Sequence, residues 1–323
     1  MNNDPLVSIL IPAYNSEPFI DRTLWFARGQ KLGAVKILLS IDAGSDNTHA
    51  LALRHAREDA RLLVQQQHTR LGWAGNVNWL LEQVDTPFFC LYFHDDILLP
   101  QYTGHLLHVL EKSPQAAGVY CAMGHFGASD HVSAGPEYHG SPCKRLLTLL
   151  LHPERGSPLR ALLRTEVAGG IRLPDMGSNG FWANEPFLMQ MLLSGPLAYS
   201  PEALYLRWNR RSGGLTEGWK RLSTAEVVTG WRANIDARLE IIERATHSAS
   251  ERDALRFALF LHAFAPIAAL YEEDGHTGLP QLEAFHPLFA DPGTPELLRG
   301  CGELIETQGA ERYARYLQHR QYA

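Results

Sequence analysis

The first 124 residues alternate between short apolar runs and stretches with a helical repeat of apolar positions. VSILIPAY (7–14) is almost continuously apolar, as expected of a strand with both faces buried. An amphipathic helical stripe follows over 17–30. The same pattern predicts strands over 35–42, 61–67, 87–93 and 116–124, with helices over 47–59, 71–84 and 101–113. This alternation predicts an α/β fold with an open, mainly parallel sheet and helices on both faces.

The pattern changes in the second part of the chain. Residues 125–160 are rich in Gly, Ser, His and Pro, which predicts a long loop with a short helix after Cys143. EPFLMQMLLSG (185–195) predicts a helix, and the following strand is interrupted at Pro201. From about residue 220 the pattern is helical. We therefore expect a sheet domain and a helical C-terminal region, with bounds 1–219 and 220–323.

Composition and charge narrow the class of protein. The 323 residues are 45% hydrophobic and 20% charged, which is typical of a globular chain and excludes a disordered or fibrous one. The net charge of -6 gives no basic field, so we expect no nucleic-acid partner. The four cysteines are widely spaced, which argues against a zinc knuckle or disulfide framework and favours a reducing cytoplasm. No long apolar run indicates a signal peptide or membrane span, and peripheral contact with the inner membrane stays open, as does the oligomeric state.

Polar side chains follow three of the predicted strands. Asn15 follows the first strand, Asp42 ends the second, and Asp95 and Asp96 follow the fourth. In open α/β sheets, ligands bind beyond the carboxyl ends of the strands. Taken singly, each of these residues is explained as well by a helix cap or turn. Together, at successive strand ends, they predict a binding site.

The adjacent carboxylates of Asp95 and Asp96 repel each other unless a cation neutralises them. Carboxylate oxygens favour Mg²⁺ or Mn²⁺, and these ions usually bridge to phosphate oxygens. A diphosphate ligand is the natural inference. The structural alternative is that Asp96 caps the next helix and Asp95 is solvated. His94 is a third ligand, a contact to the bound molecule, or a packed turn histidine.

Five motifs in order carry a resemblance to a known family. They are VSILIPAYNSE, SIDAGSDNT, LGWAGNVNWLLEQ, FHDDILLP and NEPFLMQMLLSG. The set resembles the family 2 glycosyltransferases of the GT-A fold, over roughly residues 6–216. The resemblance implies transfer of a sugar, with inversion, from a nucleoside-diphosphate donor to a hydroxyl of a saccharide, lipid-linked or protein acceptor. A UDP-sugar is the favoured donor, with Mn²⁺ or Mg²⁺ as cofactor.

The resemblance also implies roles for individual residues. Asp95 is expected to bind the metal with Asp96 beside it, and Glu185 to remove the acceptor proton. Asp42 is expected to accept a hydrogen bond from the uracil imide. The structural alternatives are a helix N-terminal position for Glu185 and surface solvation for Arg207 and Arg211. The residues expected at the nucleotide are Pro12, Ala13, Tyr14, Asn15, Asp42, Gly72, Asn76, His94, Arg207 and Arg211.

The chain departs from the family pattern at three points. Ala43 and Gly44 follow Asp42 where many relatives carry DDGS, Phe93 replaces an acid, and Asn184–Glu185 replaces Glu-Asp. These changes motivate a second hypothesis, a sugar-nucleotide-binding protein without turnover. A nucleotidyltransferase is a distant third, because the glycine-rich basic loop expected after the first strand is missing. A QxxRW motif is missing too, which argues against a processive polysaccharide synthase.

Overall fold

A computed structural model describes residues 4–151, 158–176, 180, 182–209, 222–259 and 262. The helices are α1 (Ile20–Arg28), α2 (Thr48–Glu58), α3 (Gly72–Glu82), α4 (Tyr102–Glu111), α5 (Pro142–Leu151), α6 (Thr165–Ala168), α7 (Asn184–Ser194), α8 (Thr224–Ala245) and α9 (249–259). The strands are β1 (Val7–Ala13), β2 (Val35–Ile41), β3 (Leu62–Gln66), β4 (Phe88–Leu91), β5 (Ile97–Leu98), β6 (Gly118–Gly127), β7 (His131–Ser133), β8 (Leu162–Arg164) and β9 (Leu197–Asn209).

Within the described residues, all nine strands form one sheet in the order β3-β2-β1-β4-β8-β6-β9-β5, with β7 paired to β6. The strands β3, β2, β1 and β4 are parallel, as the alternating pattern predicts. Beyond β4 the sheet is mixed, because β8 runs antiparallel to both β4 and β6, and β5 runs antiparallel to β9. The α/β class is confirmed, and the sheet is less parallel than the sequence predicts.

Helices cover both faces of the sheet, which explains why its central strands are mainly apolar. In β1 and β2, Ile9 and Ile37 pack on one face with α1, α2 and α4. Leu10 and Leu38 pack on the other face with α3, α5 and α7. Because side chains of a strand alternate between faces, only a continuous apolar run fills both layers.

The predicted interruption at Pro201 is a bulge inside one long strand. In β9, Ser200 pairs with Cys121 of β6 and Ala203 pairs with Ala122, so two residues are looped out between them. Proline has no backbone N–H to donate to a neighbouring strand, and a bulge accommodates it. The strand resumes and carries Arg207 and Trp208 to the same end of β6 as His125 and Phe126.

The described part of the helical region shares the core of the sheet domain. Ile235 and Ile242 of α8 and Leu255 of α9 belong to the same buried cluster as Leu146 of α5 and Phe187 of α7. The boundary at 219/220 stays a prediction, and residues 263–323 lie outside the described residues. Among the helices with described residues, none is both long and apolar enough to cross a bilayer.

Asn76 ties the central strands to α3. Its Nδ2 donates to the carbonyl oxygens of Ser40 (3.0 Å) and Ala13 (3.4 Å), and its Oδ1 accepts from the Ser40 hydroxyl. The side chain is buried, below the edge of the sheet. Asn76 therefore fixes the ends of β1 and β2 from within the core, whereas the sequence predicts it at the nucleotide.

We expect Asn76→Ala to lower the free energy of unfolding by about 1–3 kcal/mol, because it leaves the buried Ser40 hydroxyl and two carbonyl groups short of a partner. Thermal unfolding followed by circular dichroism measures the change. Gln66→Ala, an exposed residue at the end of β3, is the matched control and should leave the melting temperature unchanged. An unchanged melting temperature for Asn76→Ala would contradict this structural role.

Candidate functional site

The carboxyl ends of β2, β1 and β4 meet at one edge of the sheet, as the sequence predicts. The backbone N–H of Asp42 donates to the Ala13 carbonyl at 2.8 Å, which joins the ends of β2 and β1. Nδ1 of His94 lies 3.1 Å from the Pro12 carbonyl oxygen, which joins the end of β1 to the segment after β4. His94 thus contacts β1 directly, and its ring lies near that of Phe19.

Asn15 turns the chain away from β1 in a left-handed conformation, with a φ of 44°. Its Oδ1 accepts from the Ser45 backbone N–H at 3.1 Å. A Cβ atom on Gly44 would lie 2.3 Å from that same oxygen. A side chain at position 44 would therefore collide with Asn15, and only glycine leaves the space that the Asn15 side chain requires.

The Asp42 carboxylate organises the loop that leads into α3. Its Oδ1 accepts from the backbone N–H groups of Ala43 (3.0 Å) and Leu71 (2.7 Å). Its Oδ2 accepts from the Gly72 N–H (2.9 Å) and pairs with Nε of Arg70 (3.0 Å). A carboxylate offers about four lone-pair sites, so these four donors use its full capacity.

Arg70 covers the face of Tyr14 while it pairs with Asp42. The guanidinium carbon lies 3.4 Å from the centre of the Tyr14 ring, which is a close cation–π contact. The Arg70 side chain is 44% exposed, in contrast to the buried Asp42. Sequence reasoning missed Arg70, although it directly precedes the LGWAG motif. The signal that could have identified Arg70 is its place next to a turn that closes over a carboxylate.

Asp96 is buried among donors supplied by later parts of the chain. Its Oδ2 accepts from the Tyr205 hydroxyl (2.9 Å) and from Nε and Nη2 of Arg160 (3.2 and 3.0 Å). Its Oδ1 accepts from the Trp208 backbone N–H at 3.0 Å. These bonds stabilise the fold, and the Asp96 carboxylate is already paired with Arg160. The prediction that Asp96 lies beside a bound metal is therefore revised.

The pKa shifts in this cluster follow from burial and the ion pair. Burial raises the pKa of Tyr205, and the charge of Asp96 adds to that effect. Burial lowers the pKa of Arg160, but Tyr205 and Asp96 outweigh it, so the net pKa is raised. The Arg160 guanidinium also lies over the Phe93 ring, 4.8 Å from its centre. Phe93, in the place of the family's acid, thus provides a stacking face for Arg160.

Asp95 lies at the half-buried surface of the same edge. Nη2 of Arg22 donates to its backbone carbonyl oxygen at 2.7 Å, which anchors the segment after β4 to α1. Arg207 is exposed on β9 in the same neighbourhood. Partial desolvation and then repulsion by Arg160 lower the pKa of Arg207, whereas Asp96 and Asp95 raise it. The edge therefore combines acidic and basic groups.

The chemistry of these donors determines what kind of metal site is available. Within the described ranges, no three His, Cys, Asp or Glu side chains come together to hold a metal ion. Mg²⁺ and similar ions are also held by one or two carboxylates together with substrate phosphates. Asp95 suits a cation shared with a phosphorylated ligand, and the described residues provide no separate metal cage.

Glu185 lies in the first turn of α7, and its side chain is buried. Its Oε1 accepts from Nδ2 of Asn184 at 3.2 Å. Its Oε2 lies 3.1 Å from Nε2 of His262, which is also buried. A helix N-terminus favours a carboxylate here, but the macrodipole alone does not require the carboxylate to be buried. Sequence reasoning missed His262, because nothing in its local sequence points towards Glu185.

The turn before α7 is held from two sides. Nε1 of Trp73 in α3 donates to the Gly180 carbonyl at 2.9 Å. Trp182, with a φ of 52°, is left-handed, and its carbonyl accepts from the Glu185 N–H and from Nδ2 of Asn234 in α8. The start of α7 is therefore fixed by α3 on one side and by α8 on the other.

The structure thus gathers most of the predicted site residues at one edge and places the others elsewhere. Tyr14, Asn15 and Gly72 lie around Asp42, and His94 and Asp95 follow the neighbouring strand. Pro12 and Ala13 contribute backbone carbonyl groups from β1. Arg211, which the sequence predicts at the nucleotide, lies outside the described residues.

Comparisons with known proteins agree with this geometry. The family described as "Glycosyl transferase family 2" matches residues 8–158. An uncharacterized glycosyltransferase of Haemophilus influenzae is 27% identical over 113 residues, 35% of each chain. A processive diacylglycerol beta-glycosyltransferase of Mycoplasma pneumoniae is 30% identical over 93 residues, 28% of this chain and 27% of that protein. The chain thus matches about a third or less of the length of these curated relatives.

Solved structures show the same fold at low sequence identity. Staphylococcus aureus TarS 1–349 in complex with UDP superposes with a TM-score of 0.64 at 15% identity, over 93% of this chain and 80% of TarS. The mannosyltransferase PcManGT of Pyrobaculum calidifontis, in complex with GDP-Man and Mn²⁺, gives a TM-score of 0.51 at 14% identity, over 96% and 87%. The fold is that of the GT-A structures, and a match that runs from β1 to the turn before β8 makes residues 8–158 of this chain similar to the family 2 glycosyltransferases.

Proposed function

We propose that this chain transfers a sugar from a nucleoside-diphosphate donor to an acceptor hydroxyl, with inversion at the anomeric carbon. The observation that carries the proposal is the sheet edge itself, where an aromatic face at Tyr14 and a carboxylate at Asp95 follow adjacent parallel strands. A base and a diphosphate–cation pair need such groups side by side. The family match over residues 8–158 supports the same reaction class.

The nucleobase is proposed to bind at Tyr14, in the place that Arg70 takes in this structure. The Arg70 guanidinium is planar, stacks on the ring and donates an N–H to Asp42. A uracil base has the same two features, a stacking face and an imide N–H donor. Of the four donors on Asp42, three are backbone N–H groups, so the exposed Arg70 is the one that a base can replace.

The diphosphate is proposed to bind beside Asp95, with Arg207 as the neighbouring cationic group. A Mn²⁺ or Mg²⁺ ion held there would neutralise charge on the departing diphosphate. The protein residues orient the donor: Arg22 fixes the backbone of Asp95, and the Asp96–Arg160 pair holds the segment that carries it. Asp96 is no longer included among the proposed metal ligands.

Glu185 is proposed as the general base. The acceptor oxygen forms a bond to the anomeric carbon as the bond from that carbon to the diphosphate oxygen breaks, and the electron pair leaves with the diphosphate. The acceptor hydroxyl proton moves to the Glu185 carboxylate. Attack on the face opposite the leaving group inverts the anomeric carbon.

The donor is proposed to be a UDP-sugar. TarS structures hold UDP and UDP-GlcNAc, whereas PcManGT holds GDP-Man, so nucleotide sugars of two bases occur on this fold. The stacking and imide contacts proposed at Tyr14 and Asp42 suit uracil. A saccharide, lipid-linked or protein hydroxyl is proposed as the acceptor, at the cytoplasmic side of the membrane.

A binding protein without turnover is the second candidate, favoured by Phe93 in place of an acid and by the commitment of Asp96 to Arg160. Both hypotheses require nucleotide binding, and only the first requires product. Calorimetry with UDP, combined with a transfer assay over several acceptors, separates them. Binding without product or donor hydrolysis, in the presence of Mn²⁺, would favour the second candidate.

We expect Tyr14→Ala to weaken UDP binding about 5- to 150-fold, because stacking of a base on an aromatic ring contributes about 1–3 kcal/mol. Isothermal titration calorimetry measures the affinity. Trp25→Ala is the control, since this α1 side chain is 64% exposed and its ring contacts Phe26. Equal affinities for the Tyr14→Ala variant and the unmodified protein would refute the proposed base subsite.

We expect Asp96→Asn to lower the stability of the protein and Asp95→Asn to affect the binding of the metal. Asp96→Asn removes the charge that pairs with Arg160 and should lower the free energy of unfolding by about 3–5 kcal/mol. Asp95→Asn should leave the melting temperature unchanged without ligand but remove the extra stabilisation that Mn²⁺ gives in the presence of UDP. Thermal shift with UDP, with and without Mn²⁺, measures both. Retention of the Mn²⁺ effect by Asp95→Asn would exclude the proposed metal ligand.

We expect Glu185→Gln to lower kcat about 10²- to 10⁴-fold, as is typical for loss of a general base. The KM for the donor should change little, because the carboxylate acts on the acceptor. Steady-state kinetics with varied donor measure both constants. Glu166→Gln is the matched control, an exposed glutamate in the first turn of α6. Undiminished turnover of Glu185→Gln would eliminate this mechanism.

A further inference from the structure

The helices after residue 222 reach the proposed catalytic end of α7 through two polar contacts. Nε2 of His262 lies 3.1 Å from Oε2 of Glu185, and Nδ2 of Asn234 donates to the Trp182 carbonyl at 2.9 Å. The two contacts therefore come from different segments of the same region. This region lies beyond residues 8–158, the part of the chain that the family match covers.

The Glu185–His262 pair is almost completely removed from solvent. The side chains are 6% and 4% exposed, respectively. An ionised carboxylate in such a place is costly unless donors compensate for the lost water. Oε1 of Glu185 faces the Asn184 amide, and Oε2 faces the imidazole. The imidazole is therefore a titratable group in direct contact with this carboxylate.

We propose that His262 is a positioning residue, which orients the Glu185 carboxylate and keeps it ionised by donating the proton on Nε2. An ionised carboxylate only accepts hydrogen bonds, so the contacting nitrogen must carry the proton. Only the ionised form can take a proton from an acceptor hydroxyl. The inference rests on the proposed function of Glu185 as base, and it makes the helical region part of the catalytic unit.

In the alternative arrangement, the shared proton is on Glu185 and not on Nε2 of His262. A neutral Glu185 would donate its own proton to an unprotonated Nε2, and the pair would then be a buried structural contact with no base. The two arrangements have the same distance between heavy atoms, but they differ in the protonation of one nitrogen. The nitrogen chemical shifts of the imidazole distinguish them directly.

Two substitutions test the kinetic consequence. We expect His262→Leu to lower kcat about 10- to 100-fold, the effect of losing a hydrogen bond to a charged group, with the donor KM and UDP affinity within twofold of the unmodified protein. His262→Gln keeps an N–H donor near the position of Nε2 and should recover most of kcat. His247→Leu, at an exposed histidine shortly after α8, is the control. Unchanged kcat in His262→Leu, or equal losses in the Leu and Gln variants, would overturn the proposal.

A second measurement does not depend on turnover. The full-length protein is labelled with ¹⁵N-histidine, and the His262 signal is identified by its loss in His262→Gln. We expect Nε2 to be protonated, and the signal to shift in Glu185→Gln. An unprotonated Nε2, or a signal that Glu185→Gln leaves unmoved, would overturn the proposal even if His262→Leu fails to fold. A protein that binds UDP but transfers no sugar, with the expected imidazole signal, would reject the proposed function and keep the coupled pair.

Discussion

The buried ion pair between Asp96 and Arg160 holds the candidate site together. It joins the segment after β4 to the turn before β8, and Tyr205 and Trp208 of β9 complete the shell around the carboxylate. The adjacent carboxylates of Asp95 and Asp96 repel each other, and the Asp96–Arg160 ion pair gives them different roles. One carboxylate is neutralised inside the protein, and its neighbour Asp95 is left at the surface of the edge. The arrangement that gives Asp95 its place is thus enforced by a cation some 64 residues later in the chain.

The donors around Asp42 also determine the role of its carboxylate, but that role differs from the one at Asp96. The carboxylate binds three backbone N–H groups, and two of them, those of Leu71 and Gly72, fix the entry to α3 before any ligand arrives. The fourth donor, Arg70, is exposed and stacks on Tyr14. A rigid loop with one exchangeable cationic partner suits a subsite for a flat, hydrogen-bonding ligand, because little order has to be created on binding.

The helical region participates in the site and is more than a covering layer. Its apolar residues join the core beneath α5 and α7, which places α8 and α9 firmly against the sheet domain. From that position Asn234 holds the left-handed turn at Trp182, and His262 meets Glu185. A left-handed residue and a buried carboxylate are both costly on their own, so they persist because neighbouring elements compensate for them. The part of the candidate site around Glu185 therefore depends on residues from beyond the sheet.

The sequence by itself determined the strands and helices, and the edge of the sheet where the candidate site lies. Apolar runs such as VSILIPA specify buried strands, and the polar residues that end them fall at one edge, because parallel strands share their direction. The ordered motifs indicated a resemblance to the family over roughly residues 6–216, and the family match covers residues 8–158. Only the tertiary structure decided which carboxylate is committed to the fold, because Asp95 and Asp96 are adjacent in sequence and identical in type, and the difference lies in Arg160 and Tyr205. The partners of Tyr14, Asp42 and Glu185 likewise come from distant segments or from residues with no periodic signal. Local patterns encode burial and direction, whereas the pairing of charges depends on which distant side chains the packing brings within hydrogen-bond distance.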